Sequence, residues 1–176
     1  MKDNVGNFLL DKRINAVIPH VKGKLLDMCC GSNQLVKKYH GDGLGIDIEQ
    51  WGNVDVIFED ASKLPFNDKT FDTITILASL NYIPNKLEAL KEMNRILKDS
   101  GRLIVTMIPP KVSQIWHLFR DKWDSDHSEL LMKNGQTYGL TERQVSKLLT
   151  TAGYEVELNK KFMFRVNNLT IAKKSK

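Results

Sequence analysis

Two apolar runs that each enclose an acid constrain this chain most: Leu25-Leu26-Asp27-Met28 and Gly45-Ile46-Asp47-Ile48. Between them stand the small-residue turn Cys29-Cys30-Gly31-Ser32-Asn33 and a short helical segment, Leu35 to Tyr39, broken by Gly41-Asp42-Gly43. Short apolar runs bounded by turn signals read as buried strands. Strand, tight turn, helix and second strand in that order begin a parallel α/β sheet. In such a sheet both acids and the turn reach the carboxyl edge of neighbouring strands, where the ligand crevice opens.

The alternation continues downstream. Asp55 to Phe58 reads as a third strand, Thr70 to Leu77 as a fourth and Arg102 to Ile108 as a fifth. Asn85 to Leu97 places Leu87, Leu90, Met93, Ile96 and Leu97 on one helical side, and Asp99-Ser100-Gly101 is expected to close that helix. Trp51 to Asn53 leaves room for little more than a turn, so no helix is expected between the second and third strands. Phe8 to Ile18 carries a loose helical pattern closed by Pro19 and Gly23. Thr141 is placed as the N-cap of a last helix that Gly153 ends. Tyr154 to Leu158 and Phe162 to Ala172 then read as a final strand pair, making seven strands.

With 176 residues, 41% of them apolar, the chain is expected to form one domain with a proper core. No apolar run approaches the roughly 18 residues of a membrane span. The opening Met1-Lys2-Asp3-Asn4 lacks a signal-peptide core. The two cysteines, Cys29 and Cys30, are adjacent, which suits neither a disulfide nor a zinc site. A reduced, cytoplasmic setting is therefore expected. The net charge of +5 is spread over Lys37-Lys38, Lys160-Lys161 and the tail from Lys173. No basic stripe with interleaved aromatics appears, which sets a nucleic-acid partner aside. An anionic substrate or an acidic membrane surface stays compatible with the charge.

The turn carries the chemistry. Gly31 lets the backbone approach a ligand closely, and Asn33 is a residue type that tolerates positive φ. Asp47 follows Asp27 by about twenty residues, the spacing at which an acid accepts bonds from ribose hydroxyls. Glu59-Asp60-Ala61 with Leu64-Pro65-Phe66 offers a carboxylate and apolar groups suited to an adenine ring.

These segments together resemble the class I S-adenosylmethionine-dependent methyltransferases, in particular their methyltransferase-11-like, small-molecule group. Leu25 to Asn33 resembles the first motif, Gly45-Ile46-Asp47-Ile48 the ribose-binding strand end, and Glu59 to Phe66 the adenine loop. Phe71-Asp72 through Leu80 and Leu90 to Thr106 resemble the strand and helix elements that follow. The resemblance covers about Leu25 to Val105 and departs at the turn, where Cys29 and Asn33 stand in place of glycines. It implies a Rossmann-like, doubly wound, mostly parallel seven-stranded sheet with an antiparallel last strand and a short lid. The implied division is an N-terminal helix over 1–23, a cofactor-binding core over 24–108, a substrate lid over 109–139, and a C-terminal helix and strand pair over 140–176.

The resemblance further implies that S-adenosylmethionine is bound by Asp27, Cys29, Gly31, Asp47, Ile48, Asp60, Ala61 and Ala78. The acceptor is expected to be a small molecule or sugar-like compound, methylated on oxygen or nitrogen. Tyr82, Trp123 and His127 are its candidate contacts, and His127 is the candidate general base, since imidazole exchanges a proton near neutral pH. No metal site is expected: Asp121, Asp124 and Asp126 form only a charged loop pattern. A nicotinamide enzyme would need a G-x-G-x-x-G turn, which Cys29 to Gln34 does not supply. An Asn-Pro-Pro-Tyr type loop for nucleic-acid modification is replaced by Ala78-Ser79-Leu80-Asn81-Tyr82. A non-catalytic cofactor-binding protein of the same fold is the remaining alternative.

Overall fold

The computed structural model describes residues 4–114 and 137–175. The chain enters through helix α1 (Asn4–Val17), which leads by a 3-10 turn (Ile18–His20) into strand β1 (Leu25–Met28). Helix α2 (Gln34–Tyr39) and strand β2 (Gly43–Asp47) follow, then strand β3 (Val56–Ile57) with no helix between the last two. Strand β4 (Phe71–Leu77) runs into a 3-10 turn (Leu80–Tyr82) and helix α3 (Lys86–Ile96). Strand β5 (Leu97–Met107), helix α4 (Glu142–Thr151) and strands β6 (Tyr154–Phe162) and β7 (Asn167–Lys174) complete the described chain.

The seven strands form one sheet in the order β3-β2-β1-β4-β5-β7-β6. The first five pair in parallel, with Leu26 facing Leu44 on one side and Ile74 on the other. Strand β7 inserts between β5 and β6 and is antiparallel to both. This doubly wound sheet with an antiparallel last strand is the architecture expected from the sequence. Because β1 and β4 are covered on both faces, they read as nearly continuous buried runs. One face holds Leu26, Met28, Ile74, Leu90, Met93, Leu103 and Tyr154. The other holds Ile14, Val17, Leu25, Ile104 and Leu169, packed beneath α1.

Two local details differ from expectation. Helix α3 ends at Ile96 and the chain passes directly into β5, so Asp99-Ser100-Gly101 is strand rather than helix terminator. The reason is pairing: Leu97 lies opposite Phe71, and a register shift between Phe71 and Thr73 absorbs the irregularity. The β6–β7 hairpin is also longer on its β6 side, with the turn at Met163, Phe164 and Arg165, all three at positive φ. No glycine marks that turn, so the sequence pattern gave no sign of it.

The Thr141 cap forms as expected. Its hydroxyl accepts from the Gln144 N–H at 3.3 Å while the Gln144 side chain accepts from the Thr141 N–H at 2.8 Å, a reciprocal capping box.

Candidate active site

The carboxyl ends of β1, β2 and β4 meet the turn of residues 29–33. Cys29, Gly31 and Asn33 all lie at positive φ, between 53° and 57°. The turn therefore has the glycine-type backbone even where the side chains are not glycine. Cys29 packs against the large core cluster, which lets a side chain stand in the glycine's place. Burial pushes its thiol well above the ordinary cysteine range, with Asp47 and Asp27 adding to the effect. The Cys30 thiol is pushed up to about 12, again mainly by burial.

Asn33 does more than tolerate the backbone. Its Nδ2 donates to the Asn53 carbonyl and to Asp55 Oδ2, each at 2.8 Å, and Asp55 Oδ2 also accepts from the Gly45 N–H at 2.8 Å. These bonds hold the β2–β3 connection against the turn where a helix is missing.

Asp27 and Asp47 are both buried, at 2% and 6% exposure. Asp47 accepts the Gly31 N–H on Oδ2 at 2.9 Å and its neighbour Ile48's N–H on Oδ1 at 2.8 Å. Each oxygen retains lone-pair capacity for a ligand hydroxyl. Asp27 accepts from Thr75 Oγ1 at 2.6 Å. Burial raises its pKa to about 7; the Thr75 bond opposes that rise and the Asp47 charge adds to it.

Asp60 has the opposite character. Its Oδ1 accepts from the Ser62 N–H at 2.8 Å, the Ser62 hydroxyl at 2.7 Å and Asn85 Nδ2 at 3.0 Å. Those three donors hold its carboxyl at about 2, and no donor among the described residues reaches Oδ2. One oxygen is thus fixed and the other is presented. The loop is clamped further on, where the Leu64 N–H donates to Glu92 Oε1 at 2.8 Å and Arg95 bonds Glu92. Ala61 and Leu64 are buried, and Ile48 is exposed at the end of β2.

After β4 the chain turns at Ala78, whose φ is 55° and whose N–H donates to the Thr106 carbonyl at 2.9 Å. Asn81 is buried and exchanges two bonds with Thr137, donating from Nδ2 to the carbonyl at 2.8 Å and accepting the N–H at 3.1 Å. Tyr82 is half-buried and close enough to Arg13 to interact with its charge. Arg13 Nε donates to Asn167 Oδ1 at 3.0 Å, and burial lowers the pKa of its guanidinium. Thr106 Oγ1 and Asn168 Oδ1 are buried with no hydrogen-bond partner.

Sequence reasoning therefore placed Asp27, Cys29, Gly31, Asp47, Ile48, Asp60, Ala61 and Ala78 on segments that converge at one sheet edge. Tyr82 lies on the β4 side of that edge. Trp123 and His127 lie outside the described residues, as does most of the expected lid. Sequence reasoning missed Asn33's bracing role and the polar groups Arg13, Asn81, Thr106, Asn167 and Asn168. A half-buried arginine on the first helix and paired asparagines opening a strand were signals that isolated motif reading does not weigh. Among the described residues no group of three or more His, Cys, Asp or Glu side chains is placed to hold a metal ion. Nor is any helix among them long and apolar enough to cross a membrane.

The family description "Methyltransferase domain" matches residues 26–105, the segment that supplies every one of these acids. Over that segment the chain is similar to the class I S-adenosylmethionine-dependent methyltransferases. A demethylmenaquinone methyltransferase of Staphylococcus haemolyticus is 36% identical over 124 residues, covering 57% of this chain and 52% of the relative. The chain spans about half the length of the curated relatives it matches. Among solved structures, a protein of Pyrococcus horikoshii has a TM-score of 0.66 at 25% identity, covering 94% of this chain and 91% of its own. A SAM-dependent methyltransferase of Thermotoga maritima has a TM-score of 0.69 at 19% identity, with 93% and 88% covered. The matched segment spans β1 to β5, the parallel part of the sheet, and the solved structures share the fold.

Proposed function

We propose that this methyltransferase domain binds S-adenosylmethionine across the ends of β1 to β4 and transfers its methyl group to a small acceptor lying toward β5 and β7. The observation that carries the reading is the graded set of carboxylates: Asp27 buried and raised to about 7, Asp47 braced against the turn, Asp60 ionised with one oxygen presented. A ligand with an ammonium group, a ribose diol and an adenine amino group matches those three in order along the edge. Asp27 takes the amino-acid end, Asp47 the ribose hydroxyls, and Asp60 Oδ2 the adenine amino group. Ile48 and Ala61 flank the ring, and Ala78 passes under the sulfonium.

The donor supplies an activated methyl group and its own leaving group, so the protein's work is alignment and exclusion of water. The acceptor atom forms a bond to the methyl carbon as the carbon–sulfur bond breaks, and the electron pair of that bond passes to sulfur. The acceptor's proton must leave; in this reading His127 takes it. On the acceptor side, Arg13 and the unpartnered Thr106 hydroxyl favour a compound with ionisable ring oxygens over a bare sugar. The name of the staphylococcal relative points the same way, to a quinone-derived acceptor. We take a hydroquinone-like ring as the acceptor class, within the broader expectation of a small molecule methylated on oxygen or nitrogen.

The non-catalytic alternative rests on the altered glycine turn and the lack of a clear base; the glycine-type backbone at Cys29 supports cofactor binding under either reading, so turnover separates them. Calorimetric titration with S-adenosylmethionine, S-adenosylhomocysteine and NADH tests the cofactor, followed by methyl transfer to 1,4-dihydroxynaphthalene. Binding of the adenosyl ligands alone, with a methylated product, is expected. Adenosyl binding without turnover on any acceptor would return the non-catalytic reading.

A further inference from the structure

The acceptor side of the sheet edge carries an apolar and basic surface that the cofactor does not use. Strand β6 is parallel to β5, so the β6–β7 turn lies at the same edge as Ala78 and Thr106; Lys160 and Lys161 flank Leu169 and Asn168, which pair with Thr106 and Met107. At the tip, Phe164 is 103% exposed, the full value for an unshielded side chain. It is held there by three consecutive left-handed residues, Met163, Phe164 and Arg165, and closed by the Val166 N–H on the Met163 carbonyl at 3.1 Å. That conformation is unfavourable for residues with side chains, and glycine or asparagine would fill it more easily. An aromatic ring is projected into solvent at a position where a turn alone has no use for one.

Helix α1 adds to this surface. The Arg13–Asn167 bond fixes α1 beside the start of β7, and Leu10 and Phe162 pack on the same core cluster. Phe8 lies five residues before Arg13, about 7.5 Å further out along the helix, and is 57% exposed with Lys12 Nζ 5.2 Å over its ring. Lys12, Lys160, Lys161 and Arg165 are exposed, and among the described residues none is in an ion pair. No acid occurs from Leu158 to Lys176. The exposed acids at the sheet edge, Glu49 and Glu59, belong to the far side, after β2 and β3.

We propose that the turn of β6–β7 and the first turns of α1 form a docking face for an anionic lipid surface, with Phe164 entering the headgroup region and the four cations meeting lipid phosphates. Aromatic rings ringed by lysine and arginine favour the boundary between water and acyl chains, and each cation adds to the attraction of an anionic leaflet. Protection of an edge strand by lysine explains Lys160 and Lys161 but not a fully exposed phenylalanine on a strained turn. The face borders the acceptor side of the site, so an acceptor dissolved in the lipid enters without crossing water. That delivery role rests on the proposed methyl transfer; the lipid contact itself does not.

The test is co-sedimentation of the full chain with vesicles of phosphatidylcholine alone or mixed with phosphatidylglycerol, at low and high salt. Phe164→Asn suits the left-handed backbone and keeps the turn, and a Lys160→Gln, Lys161→Gln pair removes charge only. The expected result is salt-sensitive binding to the anionic vesicles, about tenfold weaker in Phe164→Asn and roughly fivefold weaker per lysine removed, with S-adenosylhomocysteine binding unchanged. Absence of binding to anionic vesicles, or a Phe164→Asn protein that sediments like the parent, overturns the proposal. Methylation of a water-soluble acceptor without vesicle binding sinks the docking face alone. Vesicle binding without turnover sinks the methyl-transfer reading alone.

Discussion

The backbone N–H of Gly31 donates to Asp47 Oδ2 at 2.9 Å, tying the turn after β1 to the acid that ends β2. The same carboxylate is the proposed partner of the ribose diol, so it shapes the loop and meets the ligand at once. Its Oδ1 is fixed in turn by the Ile48 N–H at 2.8 Å. Ligand and loop are thereby coupled through one side chain.

Asp47→Ala removes both functions. Affinity for S-adenosylhomocysteine should fall by roughly 1 to 3 kcal/mol, the cost of unpaired buried donors on loop and ligand. Asp47→Asn keeps an acceptor and should lose less. Titration calorimetry of the two variants decides the matter; an unaltered affinity in Asp47→Ala would refute the ribose assignment.

Asp27 predicts a pH dependence with a definite sign. Its carboxyl titrates at about 7 in the fold, against roughly 3.9 in an unfolded chain. Between those values the folded state binds more protons. The stability that Asp27 contributes is therefore present in acid and is lost as pH rises through about 7. Ligand binding runs the other way, because the donor's ammonium group pairs with the ionised form. Affinity for S-adenosylhomocysteine should climb as pH approaches 7 from below, with release of a proton on binding. Asp27→Asn should flatten both profiles. A wild-type affinity that is constant from about pH 5.5 to 7 removes the assignment.

How much of this was legible beforehand follows the kind of interaction. Strand β1, the turn and strand β2 could be read because burial on both faces writes a continuous apolar run, and the acids interrupt it at the edge. The capping box at Thr141 is a local signal four residues long, and it formed. The end of α3 could not be read, because Asp99-Ser100-Gly101 looks like a helix stop until Leu97 is seen pairing with Phe71. The bracing of Asn33 on Asn53 and Asp55, and the approach of Arg13 to Asn167, join residues far apart in sequence. Such contacts exist only once the sheet order is known.

Asn33 and Gly45 form a matched pair. A Cβ built on Gly45 would collide with the Asn33 side-chain amide, whose oxygen is buried without a partner. Gly45→Ala should destabilise the protein by about 1 to 3 kcal/mol through overpacking. Combining it with Asn33→Gly frees the space and should restore part of that loss, while giving up the two 2.8 Å bonds of Asn33. Urea denaturation of the single and double variants measures the coupling; strict additivity would show that the two sites do not touch.

The cysteines should behave as protonated thiols at neutral pH, since burial pushes Cys30 up to about 12 and Cys29 higher still. Alkylation by iodoacetamide should be slow in the folded protein and fast after unfolding. Cys29→Ala keeps a small apolar group against the core cluster and should leave S-adenosylhomocysteine affinity within about twofold. Rapid labelling of the native protein at neutral pH contradicts this placement.

Arg13 offers the sharpest separation of acceptor from donor. Its guanidinium is half-buried beside Tyr82, bonded through Nε to Asn167, and among the described residues no carboxylate neutralises it. A partly desolvated cation without an anion carries part of that cost, and an ionised ring oxygen of the acceptor is the partner that would offset it. Arg13→Gln keeps a hydrogen-bond donor and removes the charge. The expected outcome is a rise of about tenfold in the acceptor's KM with S-adenosylhomocysteine affinity unchanged, and Arg13→Lys should fall between the two because it keeps charge without the planar fork. The pH profile adds a readout that simple loss of packing does not move: without the guanidinium, the acceptor's ionisation should require a more alkaline solution. If KM for the acceptor is untouched, or if donor affinity falls in parallel, Arg13 serves the packing of α1 on β7 and not the acceptor.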